Sequence, residues 1–165
     1  MEDLLTLMKK RRSIRKFTPQ EIPMKEIDEL LEAARWAPSA GNSQPWQFIV
    51  VTDREVVESI KMISPGLFGE PPALIVICLN EERVKTSGGL HYIDLGAALQ
   101  NLLLLASFKG LGCCPIASFD AEALVELLSL PRTIQPVLLV IVGYPDQKPS
   151  PPTRLPLDDL ILRRF

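Results

Sequence analysis

The chain has 165 residues, a net charge of −2 and a mean hydropathy of +0.16. With 47% apolar and 23% charged residues it has the size and balance of one globular domain. That excludes a disordered chain, a collagen and a coiled coil, and it argues against a duplex-binding protein, which would be strongly basic overall.

Glu2 to Arg12 predicts a helix with Leu4, Leu5, Leu7 and Met8 on its apolar side. Pro23 opens a second helix. Met24, Ile27, Leu30, Leu31 and Ala34 recur along it at helical spacing until Pro38 ends it. Trp46 to Thr52, rich in β-branched and aromatic residues, reads as a strand. Asp53 caps a short helix through Ile63. Ala73 to Leu79 is a continuous apolar run of the kind that forms a strand buried on both faces. Ile93 to Lys109 is a helix apolar almost all round, which places it centrally, and Gly110 and Gly112 punctuate its end. Gly110 to Phe119 reads as a tight connection to an amphipathic helix over Asp120 to Leu128. Pro136 to Val142 is a third strand. Pro145, Pro149, Pro151, Pro152 and Pro156 stiffen an extended arm, and a short helix over Leu157 to Arg164 follows. Interspersed helices and strands predict an α/β or α+β layered domain.

The chemistry on offer is sparse. No Gly-x-Gly-x-x-Gly run follows a strand, and no Walker-type loop occurs. Cys78, Cys113 and Cys114 have neither disulfide nor metal-site spacing and read as reduced thiols. No targeting signal stands at the start, and the longest apolar stretch, Leu95 to Phe108, is too short to span a membrane. A soluble, cytoplasmic protein without a metal is the expectation. His91 is the single histidine and has no triad around it. The carboxylate pairs Glu81-Glu82 and Asp158-Asp159 fall in polar contexts that face water. A chain this poor in acid–base groups either does not catalyse or borrows its chemistry from a cofactor.

Four segments carry positive signals. Lys9, Lys10, Arg11, Arg12, Arg15 and Lys16 concentrate positive charge. If helical, Arg11 and Arg15 share a face near Ser13, a set suited to a phosphate monoester; a solvated helix end would explain them equally well. Ala37 to Trp46 is crowded with small and turn residues. It is either a ligand loop or a helix–strand turn with Trp46 in the core. Pro115-Ile-Ala-Ser-Phe119 offers backbone amides, and Arg154 sits on the proline-rich arm, where it reaches either a distant anion or solvent.

Arg11-Arg-Ser-Ile-Arg15, Ala37-Pro-Ser-Ala-Gly-Asn-Ser-Gln-Pro-Trp46, Asp94-Leu-Gly-Ala-Ala-Leu-Gln-Asn101, Pro115-Ile-Ala-Ser-Phe119 and Thr153-Arg-Leu-Pro156, in that order, resemble the nitroreductase family of FMN-dependent NAD(P)H oxidoreductases. The resemblance spans nearly the whole chain and implies a single domain over 1–165 with 145–165 as an extended C-terminal arm. The implied fold is α+β, three-layer α/β/α with a mostly antiparallel sheet, in an intertwined homodimer. It implies FMN as cofactor and NAD(P)H as co-substrate, with a small-molecule electron acceptor such as a nitroaromatic or quinone. By the resemblance Arg11, Ser13, Arg15 and Arg154 hold the phosphate and ribityl end, with Arg12 contributing its backbone. Pro38, Ser39, Ala40 and Asn42 come from the partner subunit. Pro115, Ile116 and Ala117 lie along the isoalloxazine, the Ala117 N–H aimed at flavin N5. The chain departs from the family in its short stretch between the strands at Trp46 and Ala73, in Pro152 where a basic residue is usual, and in Ala117-Ser118 where an acidic residue and glycine are common. A flavin-handling protein with little turnover, and a specialised dehydrogenase or dehalogenase on the same scaffold, are the alternatives. Nucleic-acid binding through Lys9 to Lys16 is a weaker one.

Overall fold

The computed structural model describes residues 3–85 and 87–165. Ten elements position the site: α1 (Leu4–Lys10), α2 (Met24–Arg35), β1 (Trp46–Val51), α3 (Arg54–Met62), β2 (Ala73–Asn80), α4 (Leu90–Phe108), β3 (Gly112–Ile116), α5 (Ala121–Leu127), β4 (Ile134–Gly143) and α6 (Leu157–Leu160). The strands form one antiparallel sheet in the order β1-β2-β4-β3.

The two central strands divide the core by simple alternation, because successive side chains point to opposite faces. Ala73, Ile75, Ile77 and Leu79 of β2 join Val140 and Val142 of β4 under α2 and α4. Leu74, Val76 and Cys78 join Leu139 and Ile141 on the other face, under α3 and α5. Every residue of β2 is buried, as its uninterrupted apolar run predicts. The result is the α/β/α arrangement expected from the sequence.

Helix ends follow side-chain chemistry. Asp53 accepts the N–H groups of Glu55 and Val56 at 2.9 and 3.1 Å, and Asp120 accepts that of Ala123 at 3.0 Å. Leu95, Ala98, Leu102 and Ala106 turn one stripe of α4 into the core beside Ile27, Leu30 and Ala34 of α2. Lys109, at the end of α4, donates to Glu29 of α2 at 2.6 Å. This bond holds the Glu29 carboxyl below its usual range and the Lys109 ammonium above its own.

Four boundaries differ from the sequence expectation. The first helix stops at Lys10, and of its apolar side Leu7 is buried while Leu4, Leu5 and Met8 stay exposed; Glu2 lies outside the described residues. The central helix starts at Leu90, so His91 belongs to its first turn. The C-terminal helix shrinks to Leu157–Leu160, because Leu157, Leu160 and Leu162 stay exposed and lend it no tertiary packing. Finally, Gly112–Ile116 is a strand and not a connection. Pro115 disguises it, yet β3 is an edge strand, where a missing N–H costs no ladder bond.

Candidate functional site

The cationic segment leaves α1 in extended backbone. Arg11 caps the helix at φ −54°, ψ 133°. Ser13 forms a parallel bridge with Cys113, and the Ile14 N–H donates to the Cys113 carbonyl at 3.0 Å. The shared helical face expected for Arg11 and Arg15 is therefore corrected: the open edge of β3 supplies backbone partners that a longer helix would forgo. In extended chain the period is two, so Arg11, Ser13 and Arg15 fall on one side and the buried Ile14 on the other.

Two glycines admit this segment. A Cβ on Gly112 would stand 2.7 Å from the Ile14 Cβ, and one on Gly143 would stand 2.6 Å from the Phe17 ring. Beyond Ile14, the Thr18 N–H donates to the Tyr144 carbonyl and the Asp146 N–H to the Lys16 carbonyl, both at 2.9 Å. Arg12 folds back over α1, its Nη1 donating to the carbonyls of Lys9 and Arg11 at 2.6 and 2.7 Å. The guanidiniums of Arg11, Arg15 and Arg154 have no side-chain partner among the described residues. A cavity of about 530 Å³ opens between Arg11, Arg12, Ile14, Leu103, Leu111 and Lys148. Ser13, Arg15, Arg154, the 38–42 turn and Pro115–Ala117 lie outside its walls.

The second loop is tightly built. A 3-10 turn at Ala40–Asn42 follows Pro38 and Ser39. The Asp94 carboxylate, buried in α4, accepts the Ala40 N–H with both oxygens at 3.2 and 3.3 Å. The Ser39 Oγ accepts the Gln44 N–H at 3.0 Å. Asn42 and Gln44 hold φ of 51° and 47°, a left-handed conformation that a side chain occupies only when its surroundings impose it. Trp46 is buried, as the turn reading requires, and so does not itself face a ligand. Asp94 opens the family-like stretch Asp94–Asn101, yet the sequence reading gave it no role of its own. An acidic residue in a helix otherwise apolar all round was the available signal.

Pro115 and Ile116 close β3, and Ala117 and Ser118 emerge into solvent. The structure thus joins the Arg11–Arg15 segment to β3 but separates it from Pro38–Asn42. Ala40 is tied to Asp94 near the start of α4, whereas the cavity beside Arg11 reaches Ser107 near its end. At ~1.5 Å per helical residue these points are roughly 20 Å apart within one chain. Residues 151–160, Arg154 among them, are exposed throughout.

Other chemistries find no footing. Burial pushes the Cys78 and Cys113 thiols up to about 12, with Cys114 adding to the effect at Cys113. His91 lies against Tyr92 with ring centroids 4.4 Å apart. Glu81, Glu82, Asp158 and Asp159 are exposed. Among the described residues no cluster could hold a metal, and no helix is long and apolar enough to cross a membrane.

Unpaired guanidiniums and amide-rich turns on a layered fold suit a protein that binds an anionic cofactor and takes its chemistry from it. The chain belongs to the nitroreductase family, whose sequence profile matches residues 8–64 and 60–144. It is 39% identical over 157 residues to a protein of Archaeoglobus fulgidus named for NADH dehydrogenase/NAD(P)H nitroreductase activity, covering 90% of this chain and 89% of that one. It is 27% identical over 177 residues to the FMN reductase [NAD(P)H] of Bacillus subtilis, covering 94% and 71%. A crystal structure of a nitroreductase in complex with FMN from Desulfovibrio desulfuricans superposes with a TM-score of 0.92 at 27% identity, covering 100% of this chain and 98% of that one. The residues present fit FMN: free guanidiniums for a phosphate, and the exposed Ala117 beside the half-buried ring of Pro115, whereas the Ile116 side chain is buried in the core.

Proposed function

We propose that the protein is an FMN-dependent NAD(P)H oxidoreductase whose site is completed by two copies of a single 165-residue domain. The observation that carries this reading is the set of unpartnered guanidiniums on a segment sewn to β3, in a chain without acid–base machinery of its own. Bound FMN supplies the redox chemistry, taking a hydride from NAD(P)H and passing reducing equivalents to an organic acceptor such as a nitroaromatic or quinone in ping-pong order. Arg11, Ser13, Arg15 and Arg154 bind the phosphate and ribityl end through charge-assisted hydrogen bonds. Pro115 supplies a flat apolar wall, and Ile116, its side chain in the core, borders the site with its main chain. The N–H of Ala117, an exposed residue just past β3, would donate to flavin N5 and stabilise negative charge there, as an oxyanion-hole donor does.

Two features support a homodimer. Pro38, Ser39, Ala40 and Asn42 are too far from Arg11 to share one ligand within a chain, so the partner subunit's copies of this turn complete the site. Leu90, Tyr92, Ile93 and Phe108 of α4, with Leu155, Leu157, Leu160 and Leu162 beyond the arm's prolines, leave apolar surface that a second copy would cover.

The purified protein is expected to be yellow and to bleach with NADH or NADPH. Colourless protein that takes up no added FMN would refute the reading. FMN that binds and is bleached by neither nucleotide would make it a flavin-handling protein instead. Arg11→Ala and Arg154→Ala each remove a charged hydrogen bond worth about 1.5–3 kcal/mol. FMN affinity, followed by fluorescence titration, should fall at least tenfold in each.

A further inference from the structure

The short stretch between α3 and β2 reaches both ends of the proposed site. Ser64, only 1% exposed, donates its hydroxyl to the Ser118 carbonyl at 2.9 Å, and the Asp120 N–H donates to the Ile63 carbonyl at 2.9 Å. Gly66 lies so close to the same turn that a Cβ there would stand 2.1 Å from the Ser118 Oγ and 2.9 Å from Ile116. At its other end Gly69, with φ +79°, packs on the cationic segment, a Cβ falling 3.2 Å from the Arg15 carbonyl. Residues 64–69 therefore bridge the turn that presents the Ala117 N–H to the segment that presents Arg15.

Between these anchors the side chains alternate. Leu67 enters the core. Phe68 points outward with 63% of its surface exposed and no ring partner among the described residues. Neighbouring solvent-facing positions are polar or small: Pro65, Gly69 and Glu70. A large aromatic ring exposed on a braced loop, between the two ends of the proposed cofactor site, is free to contact a ligand and adds little to the fold.

We propose that Phe68 is a specificity-determining residue that forms the acceptor-side wall of the site and favours planar aromatic acceptors by stacking on them. The inference rests on the FMN reading above. The selectivity follows from the ring: a flat aromatic acceptor gains both buried area and offset stacking, while a small non-aromatic one gains neither.

The test is titration of the naphthoquinone menadione into oxidised, FMN-loaded protein without NAD(P)H, followed by the visible flavin band. Native protein should show saturable binding. Phe68→Ala should weaken it about tenfold, the size of one stacking contact. Phe68→Tyr, which keeps the ring, should stay within about twofold of native by the same reasoning. In turnover, the menadione-to-ferricyanide ratio of kcat/KM should fall in Phe68→Ala and recover in Phe68→Tyr. Should Phe68→Ala lose FMN itself, Phe68→Leu, which keeps bulk without the ring, serves in its place. Native-like menadione binding by the ring-less variant overturns the proposal and leaves the FMN reading standing. Failure of native protein to take up FMN overturns both.

Discussion

Single residues hold this site by restraining backbone rather than by offering reactive groups. Asp94 is buried, and its carboxylate meets one N–H, that of Ala40, in a loop with two side-chain-bearing residues at positive φ. Asp94→Ala removes the acceptor and leaves that N–H without its partner, a loss of about 1–3 kcal/mol. FMN affinity should fall with it. Asp94→Asn retains an acceptor oxygen and should recover most of both losses, read by thermal melting and by fluorescence titration. Gly112 acts through what it lacks. A methyl group there would overlap Ile14 and push the cationic segment off β3. Gly112→Ala should cost about 1–3 kcal/mol of stability by overpacking, and it should weaken FMN binding although no atom of residue 112 need touch the cofactor. Melting and binding curves on the same preparation would check it; native-like FMN affinity would show that the segment relaxes freely.

At the scale of elements, the contact of α2 with α4 carries a pH signature. Glu29 titrates below its ordinary value because Lys109 donates to it. A depressed carboxylate contributes stability above the ordinary carboxylate range and loses it as pH falls through its lowered value. Lys109, raised, contributes below the ordinary lysine range and loses its share as pH rises through the raised value. Glu29→Gln should therefore melt earlier than native at pH 7, with the gap closing in acid and in high salt. The same scale shows what the sequence could and could not disclose. β2 and α4 were legible because a run buried on both faces and a helix apolar all round leave few alternatives. β3 was hidden by Pro115, whose cost vanishes only at a sheet edge, and edge position is a tertiary fact. Arg11, Ser13 and Arg15 could be proposed as a set from their spacing and from the family resemblance. Their geometry was not legible, since helical and extended spacing both bring Arg11 and Arg15 to one side, and only the pairing of Ser13 with Cys113 decides between them.

On the reading proposed above, one chain holds only part of the site. The turn at Pro38–Asn42 lies far from Arg11, and residues 151–160 are exposed along their length. Removal of residues 150–165 should leave a folded body that elutes as a monomer and has lost FMN, measured by gel filtration and by absorbance. A truncated body that stays dimeric and yellow would locate the interface elsewhere. A last consequence concerns wear. An oxidoreductase that leaks electrons to dioxygen makes peroxide beside itself. Peroxide attacks thiolates, and here every thiol is buried, with Cys78 and Cys113 held protonated far above neutral pH. The soft target is instead Met62, 87% exposed at the end of α3. Its thioether takes up one oxygen atom from peroxide and releases water, giving the sulfoxide. Ageing of the working protein should thus be written on a surface methionine, visible as a 62-containing peptide one oxygen heavier, while its cysteines remain as they were made.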